Sequence, residues 1–490
     1  MAREVWNTRV GFILAAVGSA VGLGNIWRFS YMAYENGGGA FLIPYFVAIL
    51  TAGIPLMILE FGLGSKFRGS APMSLKRAKK SFEWIGWLGV MTGFIITTYY
   101  AVIVGWSLTY LVNAFTLGWG TDTAGFLFGE VLEISESPWV LGGFAYKALL
   151  GLLAVWAIVW IVEKKGVQGG IEKANKIFMP LLWILLVVLV LRGVTLVGSL
   201  EGLEWYLKPD FSKLTDPKIW IAAYGQAFFS LSLGMAIMIT YSSYLPNKSD
   251  IVNNAFIVSL ADAAFSFTMG FAVFGTLGYM AAAKGVGIQE VVASGVGLVF
   301  VVLPEALNML PGLKALTAVV FFLSILVAAL SSLISIVEGF AAAMMDKFEM
   351  SRSRAVDITI GMALLGSLIY ATKGGLYWLD IIDHFVNNYG LLLVGLFEAV
   401  AICWVYGGDK IKEWVNSYSD IMAGSWWDIA TKVFLPLVLI VLLAQETWNN
   451  IVEPYGGGDY DIAALMVGVG VLVAGIIISF IMPRIKKEVE

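Results

Sequence analysis

Apolar stretches of roughly 20 residues recur along the whole chain with short polar joints between them, and that is the length a helix needs to cross ~30 Å of hydrocarbon. About twelve are predicted, at residues 10–35, 39–65, 84–117, 143–163, 170–194, 218–244, 251–283, 313–345, 355–371, 375–406, 430–450 and 461–483. The first, starting near Val10, is followed by many others, so it reads as a retained span and not as a cleaved leader. The semi-polar segment Gly285 to Pro311, with Pro304 and Pro311, reads as a folded outer loop. Nothing resembles a linker, so residues 1–490 read as one all-α polytopic membrane domain.

Two stretches break the pattern. The first carries Gly18-Ser19-Ala20-Val21-Gly22-Leu23-Gly24-Asn25 and the sixth carries Phe228-Phe229-Ser230-Leu231-Ser232-Leu233-Gly234, which puts glycines and small polar residues at mid-membrane depth. Glycine costs up to ~1 kcal/mol in a helix interior, so both helices are expected to unwind there. Unwound backbone at that depth is tolerable only beside protein or a hydrated cavity, and its carbonyls become ligands. The bland alternative is that these glycines merely let helices pack closely. Two interrupted spans at matching places in two five-span halves point instead to an ion-coupled site.

Composition narrows the setting. Of 490 residues 59% are hydrophobic and 13% charged, with a mean hydropathy of +0.83, which suits a lipid solvent. The net charge of −4 and the lack of a basic block outside short loops argue against a nucleic-acid partner. Lys66, Arg68, Lys76, Arg77, Lys79 and Lys80 crowd one joint, and Lys164, Lys165, Lys173 and Lys176 another, whereas 118–137 carries Asp122, Glu130, Glu133 and Glu136 with no Lys or Arg. Basic joints face the cytoplasm, so both termini are expected there. Short termini, a compact 118–142 loop and a lone sequon, Asn247-Lys248-Ser249, on a cytoplasmic joint suggest a multi-pass protein of a prokaryotic inner (plasma) membrane. Cys403 is alone, so no internal disulfide forms. His384 reads as a polar residue near the outer end of a span, with pH sensing as the alternative.

The runs Gly22-Leu23-Gly24-Asn25-Ile26-Trp27-Arg28-Phe29, Glu35-Asn36-Gly37-Gly38-Gly39-Ala40-Phe41, Gly53-Ile54-Pro55, Gly225-Gln226-Ala227-Phe228-Phe229-Ser230-Leu231-Ser232 and Leu330-Ser331-Ser332 resemble the neurotransmitter:sodium symporter family. The resemblance implies two inverted five-helix repeats (10–194 and 218–406), two further helices (430–483), a central substrate site and two Na⁺ sites. One sodium site would use Ala20, Asn25, Ser230, the substrate's carboxylate and a seventh-span ligand; the second would use Gly18, Val21, Ala328, Ser331 and Ser332. Na⁺, a hard cation, prefers such oxygen ligands.

At the seventh-span position, where most relatives have Asn, this chain has Asp262, with Ser266 one turn on. An intramembrane carboxylate costs ~2.5–3.5 kcal/mol on insertion scales and needs a partner; Na⁺ is the expected one, and a protonated, hydrogen-bonded Asp262 the alternative. Chloride-dependent relatives hold an anion with residues matching Tyr45, Gln226, Ser230 and Ser266; Asp262 would replace it, so no chloride is expected. Gly22 leaves room for a substrate carboxylate where monoamine carriers place an aspartate. Ser19, Leu23 and Gly24 lie beside it on the break, and Ile96, Tyr100, Phe229, Ser230, Ser232, Met235, Ser332 and Ile336 would surround the guest, which is expected to be a large aliphatic or aromatic amino acid. Arg28 and Asp383 match the family's outer ion pair, with Tyr100 and Phe229 as a lid. Arg3 and Asp346, with Trp6 and Tyr244, match the inner one. Ser30 stands where a proline is usual, and Glu60 and Glu398 are expected to bond exposed backbone at the breaks. No nucleophile, metal cluster or phosphate loop suggests an enzyme. A receptor and a proton-coupled carrier remain rivals, and the chain could act as a monomer or a homodimer.

Overall fold

The computed structural model describes residues 4–291 and 295–485. Its regular elements are helices: α1 (Arg9–Ala20), α2 (Gly24–Glu35), α3 (Gly39–Phe67), α4 (Lys80–Ala114), α5 (Tyr146–Lys164), α6 (Val167–Val194), α7 (Pro217–Ser230), α8 (Ile237–Ser243), α9 (Ile251–Lys284), α10 (Lys314–Phe348), α11 (Arg352–Ala371), α12 (Gly375–Asn416), α13 (Ser425–Val452) and α14 (Ile462–Arg484), with shorter helices between them. Ten of these are individually long and apolar enough to cross a bilayer, and α1 with α2, bent by 57° at their junction, make an eleventh. The sixth predicted stretch is divided between α7 and α8, of 14 and 7 residues.

Polar caps set the ends. Thr8 accepts from the Gly11 amide, Asp250 from that of Asn253 and Asp461 from that of Ala464, each satisfying an orphan donor of a first turn. α10 lies at the centre, 89% of its apolar window buried, while α14 lies at the edge with 22% buried. The site is built on α1, α2, α4, α6, α7, α9, α10 and α12, with the break that follows α7.

Two boundaries differ from expectation. α12 continues to Asn416 because Gly407 (φ 106°) redirects the chain without ending it, and Ile411 and Val415 pack against Gly62 of α3. The outer loop contains a helix, Gly295–Met309. His384 stacks on Tyr455, with ring centroids 3.7 Å apart, and its Nε2 lies 3.1 Å from Asn450 Oδ1. Cys403 is buried.

Between α7 and α8, Ser232 (φ 53°), Gly234 (φ 73°) and Ala236 (φ 63°) all adopt left-handed backbone, which side chains disfavour and which must be held by surroundings. Glu60, fully buried, is one such support: its Oε1 accepts the Gly234 N–H at 2.8 Å. Glu398 departs from expectation, since neither of its carboxyl oxygens has a hydrogen-bond partner and it faces Glu60 instead; packing of α12 on α3, not the break, sets its place. Glu60→Ala would leave the Gly234 N–H orphaned, at a cost of about 1–3 kcal/mol. Thermal inactivation of the detergent-purified variant should start several degrees lower, and an unchanged curve would remove Glu60 from this role.

Candidate functional site

The break after α1 frees the carbonyls of its last turn. Val21 leaves the helical region (φ −72°, ψ 99°), and its neighbours find partners from other helices. Ser332 of α10 directs its Oγ at the carbonyls of Ser19 (3.1 Å), Gly18 (3.4 Å) and Val21 (3.5 Å), as well as Ala328 (3.3 Å) of its own helix. Ser232, in the second break, donates to Ser19 O at 2.9 Å. Ser331 donates to Asn175 Oδ1 of α6. Gly18 is tightly enclosed, for a Cβ there would collide with Ser331 Oγ and Asn175 Oδ1. Gly18, Val21, Ala328, Ser331 and Ser332 thus come together, and Asn175 joins them without having been foreseen.

A second cluster lies on the other side of the break. Asn25 Oδ1 accepts the Gly22 amide at 2.8 Å, and its Nδ2 donates to Asp262 Oδ1 at 2.6 Å and to Ser266 Oγ at 2.8 Å. Ser230, at the end of α7, donates to Asp262 Oδ2 at 2.9 Å. Asp262 is 0% exposed, and no Lys or Arg among the described residues forms an ion pair with it. Tyr45 Oη and Gln226 Oε1 are buried and unpartnered, while Gln226 Nε2 donates to Gly24 O at 3.2 Å.

Between the two clusters is a cavity. Its wall includes Ser19, Gly22, Leu23, Gly24, Ile96, Tyr100, Phe229, Ser230, Ser232, Met235, Ser332 and Ile336, together with Ala20, Asn25, Arg28 and Asp383. Trp27, Tyr99 and Ile103 complete it; as aromatic or apolar residues in apolar runs they carried no sequence signal. Tyr100 Oη accepts the Leu23 amide at 3.4 Å. A Cβ at Gly22 would stand 2.7 Å from Ser332 Oγ and 3.2 Å from Tyr100 Oη, so glycine keeps this corner open.

On the outer side, Arg28 and Asp383 face the same cavity but make no ion pair. The Arg28 guanidinium lies 4.5 Å over the Phe229 ring with Nη1 unpartnered, and Asp383 accepts from Asn387 Nδ2 at 2.6 Å. On the inner side Trp6, 2% exposed, donates its Nε1 to Tyr241 O at 2.8 Å, and its backbone N–H to Tyr244 O at 2.9 Å. Asp346 accepts the Ser70 amide at 2.7 Å; Arg3 lies outside the described residues. The larger charge cluster there is one that sequence reasoning missed, Arg352 with Glu4, Glu163 and Glu338. Its signal was present, since Glu163 and Glu338 sit in apolar runs.

Helices of this length and apolarity, packed around a cavity at two backbone breaks, are the architecture of a polytopic membrane transporter. A family model described as the sodium:neurotransmitter symporter family matches residues 3–124 and 119–487. A sodium-dependent transporter of Methanocaldococcus jannaschii is 46% identical over 486 residues, covering 99% of this chain and 98% of that one. The human sodium- and chloride-dependent creatine transporter 1 is 34% identical, covering 89% and 75%. The crystal structure of MhsT in complex with L-phenylalanine superposes with a TM-score of 0.79 at 34% identity, covering 91% of this chain and 100% of that one. The chain belongs to the sodium:neurotransmitter symporter family.

Proposed function

We propose that this chain is a sodium-coupled symporter that imports a hydrophobic amino acid, large aliphatic or aromatic, by alternating access and without chloride. The reading is carried by Asp262, a buried carboxylate between Asn25 and Ser230 with no cationic side chain beside it. A Na⁺ held by Asp262, Asn25, Ser230 and Ala20 would have its charge balanced by the protein itself. The substrate's carboxylate, set in the corner that Gly22 leaves open, would complete that shell, so ion and guest each improve the other's site and the coupling is reciprocal. A carried cation is the cargo of such a cycle.

The second proposed Na⁺ site is supported by oxygen spacing. The 3.3–3.5 Å that separate Ser332 Oγ from the carbonyls of Gly18, Val21 and Ala328 are long for O–H···O bonds, whose usual length is about 2.7–2.8 Å. They suit oxygens around a hard cation, where ligand distances of about 2.4 Å put neighbouring oxygens about 3.4 Å apart. Ile96, Met235 and Ile336 give the guest an apolar wall, and the yielding thioether of Met235 suits a bulky side chain. MhsT is described with L-phenylalanine, which supports an aromatic guest over creatine.

The same reading places two five-helix halves, 10–194 and 218–406, in inverted relation with 430–483 outside them, both termini in the cytoplasm, and the protein in an inner (plasma) membrane. Arg28 with Asp383 would close the outer gate, and Trp6, Tyr244 and Asp346 the inner one. The test is uptake into proteoliposomes. An inward sodium gradient should accumulate leucine- or phenylalanine-class amino acids equally well in chloride and in gluconate. Collapse in gluconate would refute chloride independence; uptake driven by a pH gradient without sodium would refute the sodium symporter; binding without accumulation would make the protein a receptor.

A further inference from the structure

At the cytoplasmic end, one guanidinium serves three carboxylates. Arg352 Nη1 and Nη2 embrace Glu338, at 3.2 Å to Oε1 and 2.6 Å to Oε2; Nη2 also reaches Glu163 Oε2 at 3.0 Å, and Nη1 reaches Glu4 Oε2 at 3.3 Å. Arg352 Nε donates to the Glu163 carbonyl at 2.9 Å. Glu163 and Glu338 are both 0% exposed. Glu338 is saturated, because Oε1 also accepts from Tyr244 Oη at 2.5 Å, and Glu4 Oε2 has the Val167 amide at 2.7 Å. Glu163 Oε1 is the exception, buried with no donor, and its Oε2 shares Arg352 Nη2 with Glu338 Oε2, at 3.0 and 2.6 Å, which brings the two carboxyls together on one nitrogen.

Among the described residues no other cationic side chain forms an ion pair with Glu4, Glu163 or Glu338. Lys164 is committed to Asp357 and Ser353, Lys176 to Glu172 and Lys347 to Glu83, and the phenols of Tyr241 and Tyr244 are neutral donors. Fully ionised, the cluster would hold a net charge of −2 around two side chains removed from water, an arrangement whose desolvation a single guanidinium does not offset. Two buried carboxylates held on one guanidinium nitrogen lose their mutual repulsion when one of them takes up a proton.

We propose that Glu163 and Glu338 form a proton-binding site that is occupied while the inner gate is closed and emptied when it opens. The proton comes from cytoplasmic water and forms an O–H bond on Glu163, whose hydroxyl donates to Glu338. When the segment carrying Glu4 and Trp6 departs, water enters and that bond breaks, the proton returning to cytoplasmic water and the electron pair staying on the carboxylate. The proton therefore does not cross the membrane, and the site sets how cytoplasmic pH biases the gate. The proposal rests only on the chain opening alternately to its two sides, not on which ion or substrate it carries.

The test uses the full-length chain with Cys403→Ala and a reporter, Ser335→Cys, which lies buried beneath the central cavity between Tyr241 and Ser331. Its rate of reaction with a thiol reagent, divided by that of N-acetylcysteine to cancel thiol ionisation, reports inner opening. The ratio should climb with pH, approaching about tenfold per unit near the midpoint for one linked proton. Adding Glu163→Gln should flatten the curve, and adding Glu163→Asp should keep its slope. A flat curve in the reporter protein overturns the proposal by itself, even if Glu163→Gln fails to fold. So does an unchanged slope in Glu163→Gln, or a proton carried across with each substrate. Loss of sodium-driven uptake in the unaltered protein would sink the symporter reading while leaving the labelling curve intact.

Discussion

Asp262→Asn should lower sodium-driven uptake in chloride-free medium by two to three orders of magnitude, chiefly by weakening sodium binding. The asparagine keeps the size of the side chain and an oxygen for Ser230 Oγ, which donates to Asp262 Oδ2 at 2.9 Å, and loses the charge together with the oxygen that accepts from Asn25 Nδ2 at 2.6 Å. Removing one member of a buried ion pair costs about 3–5 kcal/mol, and each ~1.4 kcal/mol is tenfold in affinity. The chemistry also gives a sign that a folding defect would not. Tyr45 Oη is buried without a partner, and Ser266 Oγ, which accepts from Asn25 Nδ2 at 2.8 Å, keeps its own hydroxyl hydrogen, so hydroxyl donors already stand at this corner. Added chloride should therefore restore part of the lost uptake in Asp262→Asn and leave the unaltered protein unaffected. Equal uptake by both proteins in gluconate would remove Asp262 from the sodium site.

Gly22→Val should abolish amino acid binding, reducing substrate affinity by at least about a hundredfold. A Cβ alone would stand 2.7 Å from Ser332 Oγ and 3.2 Å from Tyr100 Oη, and the two further methyls would fill the corner proposed for the substrate's carboxylate. Ser332 is a flexible hydroxyl and can turn aside for one carbon, so Gly22→Ala should be milder. Valine offers no such escape, and its branched side chain is stiff at χ1. Binding of a radiolabelled amino acid to detergent-purified protein checks this directly. Ser332 also belongs to the sodium cluster of Gly18, Val21, Ala328 and Ser331, so sodium-induced protection of a cysteine at the inner gate should weaken, but by less than substrate binding does. Full substrate affinity in Gly22→Val would exclude this corner from the binding site.

Most of the fold was legible because its physics is local. A run of apolar residues long enough to span hydrocarbon must be helical there, since no other backbone satisfies its own hydrogen bonds in lipid. The two breaks were legible for the converse reason: Gly18 to Gly24 and Ser230 to Gly234 weaken the helix in the middle of otherwise strong spans. Residues on those breaks could then be named before any coordinates, whereas the facing Asp262, Ser331 and Ser332 were named through the family resemblance alone. Trp27, Tyr99 and Ile103 could not be placed at the cavity, because an aromatic or aliphatic residue in an apolar run looks the same whether it lines a cavity or packs in a core, and Asn175, between Lys173 and Lys176, looked like part of a polar joint.

The sequence alone therefore indicated the long membrane-crossing helices, where two of them fail, and which oxygens are freed as a result, though not the loop helix Gly295–Met309; these follow from the preferences of neighbouring residues. Tertiary structure alone decided the electrostatics. It set Glu398 against Glu60 and not against backbone, turned Arg28 onto Phe229 and away from Asp383, and gathered Glu4, Glu163 and the neighbouring Glu338 and Arg352 from three distant stretches. A charge's partner depends on which helices touch and in what rotation. Hydropathy fixes that a helix forms but is nearly silent on its neighbours once lipid and protein interior are equally apolar.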